Sequence, residues 1–251
     1  MAISRRTFLG AASAVVVGAC SSQVRQASPA STSERPSPVP VPVPVPATGP
    51  AGPAAFVAHG PPAGGRLALT FHGSGDTGLL HDLLAAAGRL QVPLTIFAVG
   101  SWLDEHPEVA GTILDGGHEL ANHTYTHPAL GEAPAATVAD EIARCRDALT
   151  RHTGSPGAWF RPSGVEVPSA LILAEAGRVG YGTVVGYDVD PLDYEDPPAR
   201  AIVDRVAAKV HPGAVVSLHT GHANTVSAFE PMVAELRRRQ LTPVRLGDLL
   251  R

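Results

Sequence analysis

From Arg66 to Leu250, short apolar runs bordered by Gly or Pro alternate with longer stretches whose apolar residues return every three or four positions. Leu67 to Phe71, Pro93 to Val99, His118 to Asn122, Gly182 to Tyr187, Ala214 to Leu218 and Thr242 to Arg245 are apolar and partly β-branched, the pattern of strands. Between them the period is helical. Val138, Ile142, Cys145 and Leu149 form one stripe, which accounts for Cys145 as core packing without a reactive thiol. Val226, Phe229, Val233 and Leu236 form a second stripe, and a third helix opens after Pro198 with Ile202 and Val206 facing inward. Strand and helix in alternation predict an α/β domain on a parallel sheet, open or rolled into a barrel, with its chemistry at the C-terminal strand ends. The stretch is long enough for one domain with a substantial core, and it contains no internal repeat.

The N-terminal residues break this pattern. Ser4-Arg5-Arg6-Thr7-Phe8-Leu9 reads as a twin-arginine export signal, and the apolar run from Leu9 to Ala19 is too short to span a membrane. Val17-Gly18-Ala19-Cys20 resembles a lipobox, so residues 1–20 are expected to be a signal peptide with Cys20 acylated. A plain signal peptide with an incidental cysteine is the competing reading. With Cys20 so used, Cys145 has no partner and no disulfide framework is expected. Residues 21–64 are rich in Pro, Ser and Ala, with Pro and Val alternating from Pro38 to Pro46, which predicts an extended spacer. The folded domain is expected over 65–251, held at the outer face of the cytoplasmic membrane.

Polar residues gather where the expected strands end. His72 and Asp76 follow the first, His123 and His127 the third, Asp188, Asp190 and Asp193 the fourth, and His219 with His222 the fifth. Four separate loops carrying such residues point to one shared site. Within it His123 and His127 lie four residues apart in the turn-prone segment NHTYTHP, a spacing that lets two imidazoles converge on one zinc-like ion. A surface loop rich in His is the plainer alternative for that pair alone.

These segments, in their order and spacing, resemble a family. TFHGSGD (Thr70 to Asp76), HTYTH (His123 to His127), FRPSG (Phe160 to Gly164), DVDPLDY (Asp188 to Tyr194) and SLH (Ser217 to His219) are similar to the motifs of polysaccharide deacetylases with the NodB homology domain, carbohydrate esterase family 4. The resemblance covers Leu67 to Leu250. It implies a distorted (β/α) barrel that removes N-acetyl groups from GlcNAc-type sugars of peptidoglycan, chitin or related glycans with one divalent ion, usually zinc. It also implies that His123 and His127 hold that ion, that His219 is the general acid for the leaving amine, and that Asp193 orients His219. Arg161 resembles the arginine that pairs with the family's base, and Tyr194 stands where the family carries a sugar-stacking Trp.

Two motifs depart from the pattern. The family's TFDDG supplies a base and a metal-binding carboxylate, and those positions here are His72 and Gly73. The expectation is a His123, His127, Asp76 metal site, the glycine-rich loop folding back to present Asp76, with His72 as base or additional ligand; the reverse assignment of His72 and Asp76 stays open. The turn Arg161-Pro162-Ser163-Gly164 is one residue shorter than the family's RxPxG, which unsettles an oxyanion donor. A catalytically impaired domain that binds cell-wall glycan is therefore the second function class. A serine hydrolase is disfavoured, since Ser74 has no GxSxG elbow around it. Net charge is −4 from 19 basic and 23 acidic residues, which gives no reason to expect nucleic acid. Oligomeric state is not legible.

Overall fold

Successive side chains of a strand point to opposite faces, and in this domain that alternation separates core from chemistry. The computed structural model describes residues 52–251. In chain order these form β1 (Ala55–Val57), β2 (Arg66–Gly73), α1 (Thr77–Leu90), β3 (Thr95–Ala98), α2 (Gly100–Glu105), α3 (Pro107–Asp115), β4 (Glu119–Asn122), α4 (Ala135–Thr153), α5 (Ala170–Val179), β5 (Thr183–Val185), α6 (Ala199–Lys209), β6 (Val215–His219), α7 (Ala223–Arg238), β7 (Thr242–Val244) and α8 (Leu246–Leu249). The export signal, Cys20 and the alternating Pro-Val segment lie outside the described residues.

All strand pairs are parallel. β2 runs between β3 and β6, β7 joins the N-terminal half of β2, and β4 extends the sheet beyond β3. Further round, β1 pairs with β5, and isolated bridges link Asn122 to Phe160, Phe160 to Val184 and Val189 to Val216. The architecture is the α/β, distorted barrel expected, with continuous ladders on one side and single bridges on the other. One boundary needs correction. Residues 21–64 were expected to be spacer, yet β1 lies on the sheet and Ala54 is buried among Ile172, Ala176 and Val184. Three residues carry too little pattern to stand out beside a proline-rich tract.

Along β2, Leu67, Leu69 and Phe71 face outward into the main core with Leu80 and Leu83 of α1 and Phe229 of α7. Ala68 faces inward with Phe97, Ala121, Val215 and, from α8, Leu246 and Leu249. By the same alternation Thr70 and His72 face inward from β2, and Ser217 and His219 from β6, where His72 and His219 are register partners. The barrel is thus filled with apolar groups at its N-terminal end and with polar groups at its C-terminal end. Local signals agree. Pro107 opens α3 after His106, and His152 lies in the last turn of α4, where its Nε2 meets Asp104 at 2.7 Å.

Candidate functional site

His123 follows β4 directly, and its backbone N–H still donates to Ala98 O at 3.0 Å. The chain then turns sharply through Thr124 (φ 69) and His127 (φ 61), both left-handed. Between them the carbonyls of Thr124 and Tyr125 accept from the first N–H groups of α2, those of Gly100 and Ser101, at 3.0 and 2.9 Å. The N–H groups of Tyr125 and Thr126 donate to Glu141 of α4 at 2.8 and 2.7 Å. This loop brings the two imidazoles together, with His127 Nε2 3.1 Å from His123 Nε2. His123 Nδ1 lies 2.9 Å from Arg161 O, so Nδ1 carries the hydrogen and Nε2 offers its lone pair.

His72 completes the group. Its ring centroid is 4.3 Å from that of His123, and the ligating atoms of His72, His123 and His127 all lie within 4.8 Å of one another. Among the described residues this is the group of His, Cys, Asp and Glu side chains that stands close enough to share an ion. Two nitrogens on one zinc-like ion at 2.0–2.1 Å sit roughly 3.3 Å apart at the tetrahedral angle, close to the separation of the two Nε2 atoms. Neutral imidazoles are ligands that zinc and its neighbours accept, so the donor set fits a divalent cation.

Asp76 is not brought to this group, contrary to expectation. It N-caps α1, its Oδ1 accepting from the N–H groups of Gly78 and Leu79 at 2.7 and 3.2 Å, and it is exposed. The loop does not fold back because Trp102 Nε1 donates to Gly75 O at 3.0 Å and Gly75 packs on Gly221. Gly73 is no vacant ligand position either. Its side faces outward, and a Cβ there would lie 2.7 Å from Ile96 Cγ2 and 3.3 Å from Trp102.

Asp193 is fully buried and meets His219. One oxygen lies 2.8 Å from His219 Nδ1, and the other accepts from the His219 N–H at 2.8 Å and the Thr225 hydroxyl at 2.7 Å. His219 is thereby held with Nδ1 protonated and Nε2 directed away from the carboxylate. Its ring centroid is 4.3 Å from that of His72 and 5.3 Å from the half-exposed Tyr194. His222 pairs with Asp196 at 2.7 Å on the rim.

Arg161 lies inside the barrel, 1% exposed, donating to Thr70 Oγ1 (2.9 Å), Val185 O (3.1 Å) and Gly186 O (2.8 Å) with its guanidinium 4.1 Å from the Phe97 ring centroid. It makes no ion pair with a carboxylate among the described residues. Burial pulls its pKa down to about 9, which leaves it charged at neutral pH. The short turn is braced by Ser163, whose hydroxyl donates to Pro128 O and accepts from Thr124.

Sequence reasoning missed Glu141, Thr225 and Ser217, whose hydroxyl lies 3.2 Å from His72 Nε2. Glu141 had a signal: it is a carboxylate three positions after Val138 on the apolar face of α4.

Burial holds the pKa values of His72 and His123 well below the ordinary 6.5, helped by neighbouring positive groups, and lowers that of His118, whose Nδ1 accepts from the Leu94 N–H. Below about pH 6.5 the unfolded chain binds protons that these three groups refuse in the fold, so their contribution to metal-free stability should fall with falling pH and stay level above it, opposed in part by His211, whose pKa the Pro212 carbonyl and Asp188 raise. Each group contributes up to about 1.4 kcal/mol per pH unit. Urea unfolding of metal-free protein between pH 8 and 5 measures this, and an unchanged midpoint would contradict it.

The profile of the family described as polysaccharide deacetylase matches residues 59–184. A chitooligosaccharide deacetylase of Bradyrhizobium sp. (strain ANU 289) is 31% identical over 194 residues, spanning 68% of this chain and 84% of that protein. The chain belongs to the polysaccharide deacetylase family. The peptidoglycan-N-acetylmuramic acid deacetylase PdaA of Bacillus subtilis (strain 168) is 25% identical over 185 residues, 72% of this chain and 70% of that one. Among solved structures, BA3943 of Bacillus anthracis, described as a family 4 carbohydrate esterase pseudoenzyme, superposes with a TM-score of 0.73 at 25% identity, covering 78% of this chain and 69% of its own. A mutant of BA3943 described as having restored enzymatic activity superposes with the same TM-score at 27% identity, covering 78% of this chain and 71% of its own.

Proposed function

We propose that this member of the family is an exported, metal-dependent hydrolase that removes N-acetyl groups from a GlcNAc-type polysaccharide, peptidoglycan or chitin-like. The observation that carries the reading is the His72, His123, His127 group standing directly beside the His219–Asp193 pair. The three imidazoles would hold the ion. When bound, a divalent cation, zinc being expected, supplies a nucleophilic water near neutral pH and polarises the acetamide carbonyl. That chemistry requires no separate carboxylate base, which suits a first motif with His72 and Gly73 at the two aspartate positions.

The chain's own residues supply the rest. An amine leaves poorly without a proton, and His219 Nε2 is the position from which one can be delivered. Asp193 fixes the tautomer and balances the imidazolium charge, while Thr225 and the His219 N–H keep Asp193 from turning away. His123 is fixed through the Arg161 carbonyl, and His72 is braced by Ser217. Tyr194 offers a ring at the mouth for a sugar face.

Release of acetate from chitooligosaccharides or peptidoglycan by zinc-loaded protein is the expected result, read by an enzymatic acetate assay. One observation favours a second reading, a domain that binds cell-wall glycan without turnover: both aspartates of the first motif are replaced, and BA3943, described as a pseudoenzyme, shares the fold. Absence of acetate with zinc, cobalt, nickel and manganese alike would favour it.

The sequence supports export by the twin-arginine route and a lipid anchor on Cys20. Replacing Arg5 and Arg6 with Lys should remove the protein from the cell-surface fraction on immunoblotting. Surface material at the unaltered level would contradict this route.

A further inference from the structure

We infer that Glu141 is a positioning residue for the ion: it clamps the loop that carries His123 and His127, and provides the negative charge that the three imidazoles lack. This rests on the reading of His72, His123 and His127 as the ligands.

The two histidines are separated by three residues, and the geometry of those residues decides whether the imidazoles converge. Two left-handed residues, Thr124 and His127, bracket Tyr125 and Thr126, whose consecutive N–H groups point the same way. Such paired N–H groups form a concavity suited to an anion. Here the anion is Glu141. Its Oε2 accepts from both N–H groups at 2.8 and 2.7 Å, and its Oε1 accepts from the Thr126 hydroxyl at 2.8 Å. The residue is 5% exposed, and the nearest cation, Arg144, stands 3.9 Å away and is itself half exposed. A buried carboxylate that spends three acceptor contacts on one loop, and no close ion pair on anything else, is dedicated to that loop.

Charge points the same way. The candidate ligands are neutral, Arg161 adds a buried positive charge within the barrel, and an arriving divalent ion adds two more. Glu141 stands behind the backbone of the ligand loop, its Oε2 on the two N–H groups that precede His127 in the chain. In the family pattern the carboxylate is a direct ligand; in this chain a carboxylate reaches the site through the backbone of Thr126.

Full-length Glu141→Gln, Glu141→Asp and Thr126→Val proteins test the assignment against the unaltered protein, by zinc affinity in competition with a chromophoric chelator and by the visible spectrum of the cobalt-substituted form. Glu141→Gln should bind zinc about 10- to 100-fold more weakly, the usual cost of losing an outer-shell partner, and should shift the cobalt bands. Its metal-free melting curve should change far less. Thr126→Val, which keeps both N–H contacts, should lose less than about tenfold. Zinc affinity and cobalt spectrum of Glu141→Gln indistinguishable from the unaltered protein would overturn the assignment and leave the ligand reading intact. Failure of the unaltered protein to bind zinc or cobalt would overturn both. Should Glu141→Gln not fold, Glu141→Asp decides: it keeps the charge but shortens the reach, and an unaltered zinc affinity in it would overturn the assignment.

Discussion

A His72→Ala protein is expected to leave a desalting column without its divalent ion, while an Asp76→Ala protein is expected to keep it. The two residues compete for one role, since His72 at the C-terminal end of β2 and Asp76 in the loop that follows both belong to the motif where the family places its carboxylate ligand. Geometry separates them. His72 faces into the barrel, 4.3 Å from the His123 ring between centroids, whereas Asp76 spends its carboxylate on two N–H groups at the start of α1. Removing a direct ligand should weaken zinc binding by more than about 100-fold, beyond the range seen for outer-shell partners. Removing Asp76 should cost stability instead, typically about 1 kcal/mol for loss of a helix N-cap, with some further loss of helix-dipole stabilisation. Elemental analysis of the desalted proteins and their melting temperatures check both halves. Zinc retained by His72→Ala and lost by Asp76→Ala would reverse the assignment and return the site to the two-histidine, one-aspartate form.

The sequence carried β2 to β7 because apolar, partly β-branched runs with Gly or Pro borders are recognisable without tertiary context. The run from Leu67 to Phe71 grew in the structure only by a residue before it and two after. Helices with clear stripes were equally visible, α4 above all. What stayed hidden depended on contacts between distant residues. Asp76 looked available because nothing local says that Trp102, 27 residues away from Gly75, pins the loop. Gly73 looked like a lost ligand because a one-residue step along a strand reverses the facing, and only the fold shows that its side of β2 is filled by Ile96 and Trp102. Glu141 went unseen for a different reason. A charged residue on a helix is normally solvated, and its role arises only when the loop of another element turns two N–H groups towards it.

The second large effect is expected at His219. His219→Ala should lower the rate of acetate release by about 10² to 10⁴, the usual contribution of a positioned general acid, while zinc content stays at the level of the unaltered protein. The separation of the two readouts follows from the structure. His219 ends β6, the candidate ligands come from the end of β2 and the loop after β4, and the His219 ring beside His72 has its Nδ1 committed to Asp193. Losing the proton donor should therefore appear in kcat, with KM little changed, because under the proposed function the Tyr194 ring at the mouth, and not Nε2, would hold the sugar. Asp193→Asn leaves one oxygen for the His219 N–H and Thr225 donors and turns an NH2 towards His219 Nδ1, removing both the charge that balances an imidazolium and the hold on the tautomer, so it should fall in the same direction. Thr225→Val, which loosens one of the contacts on Asp193, should cost less than about tenfold, the scale of a single supporting hydrogen bond. A His219→Ala protein that turns over within tenfold of the unaltered enzyme would remove the imidazole from the chemistry. The leaving amine would then need its proton from another group at the mouth, and His222, held by Asp196 beside it, is the next imidazole in reach.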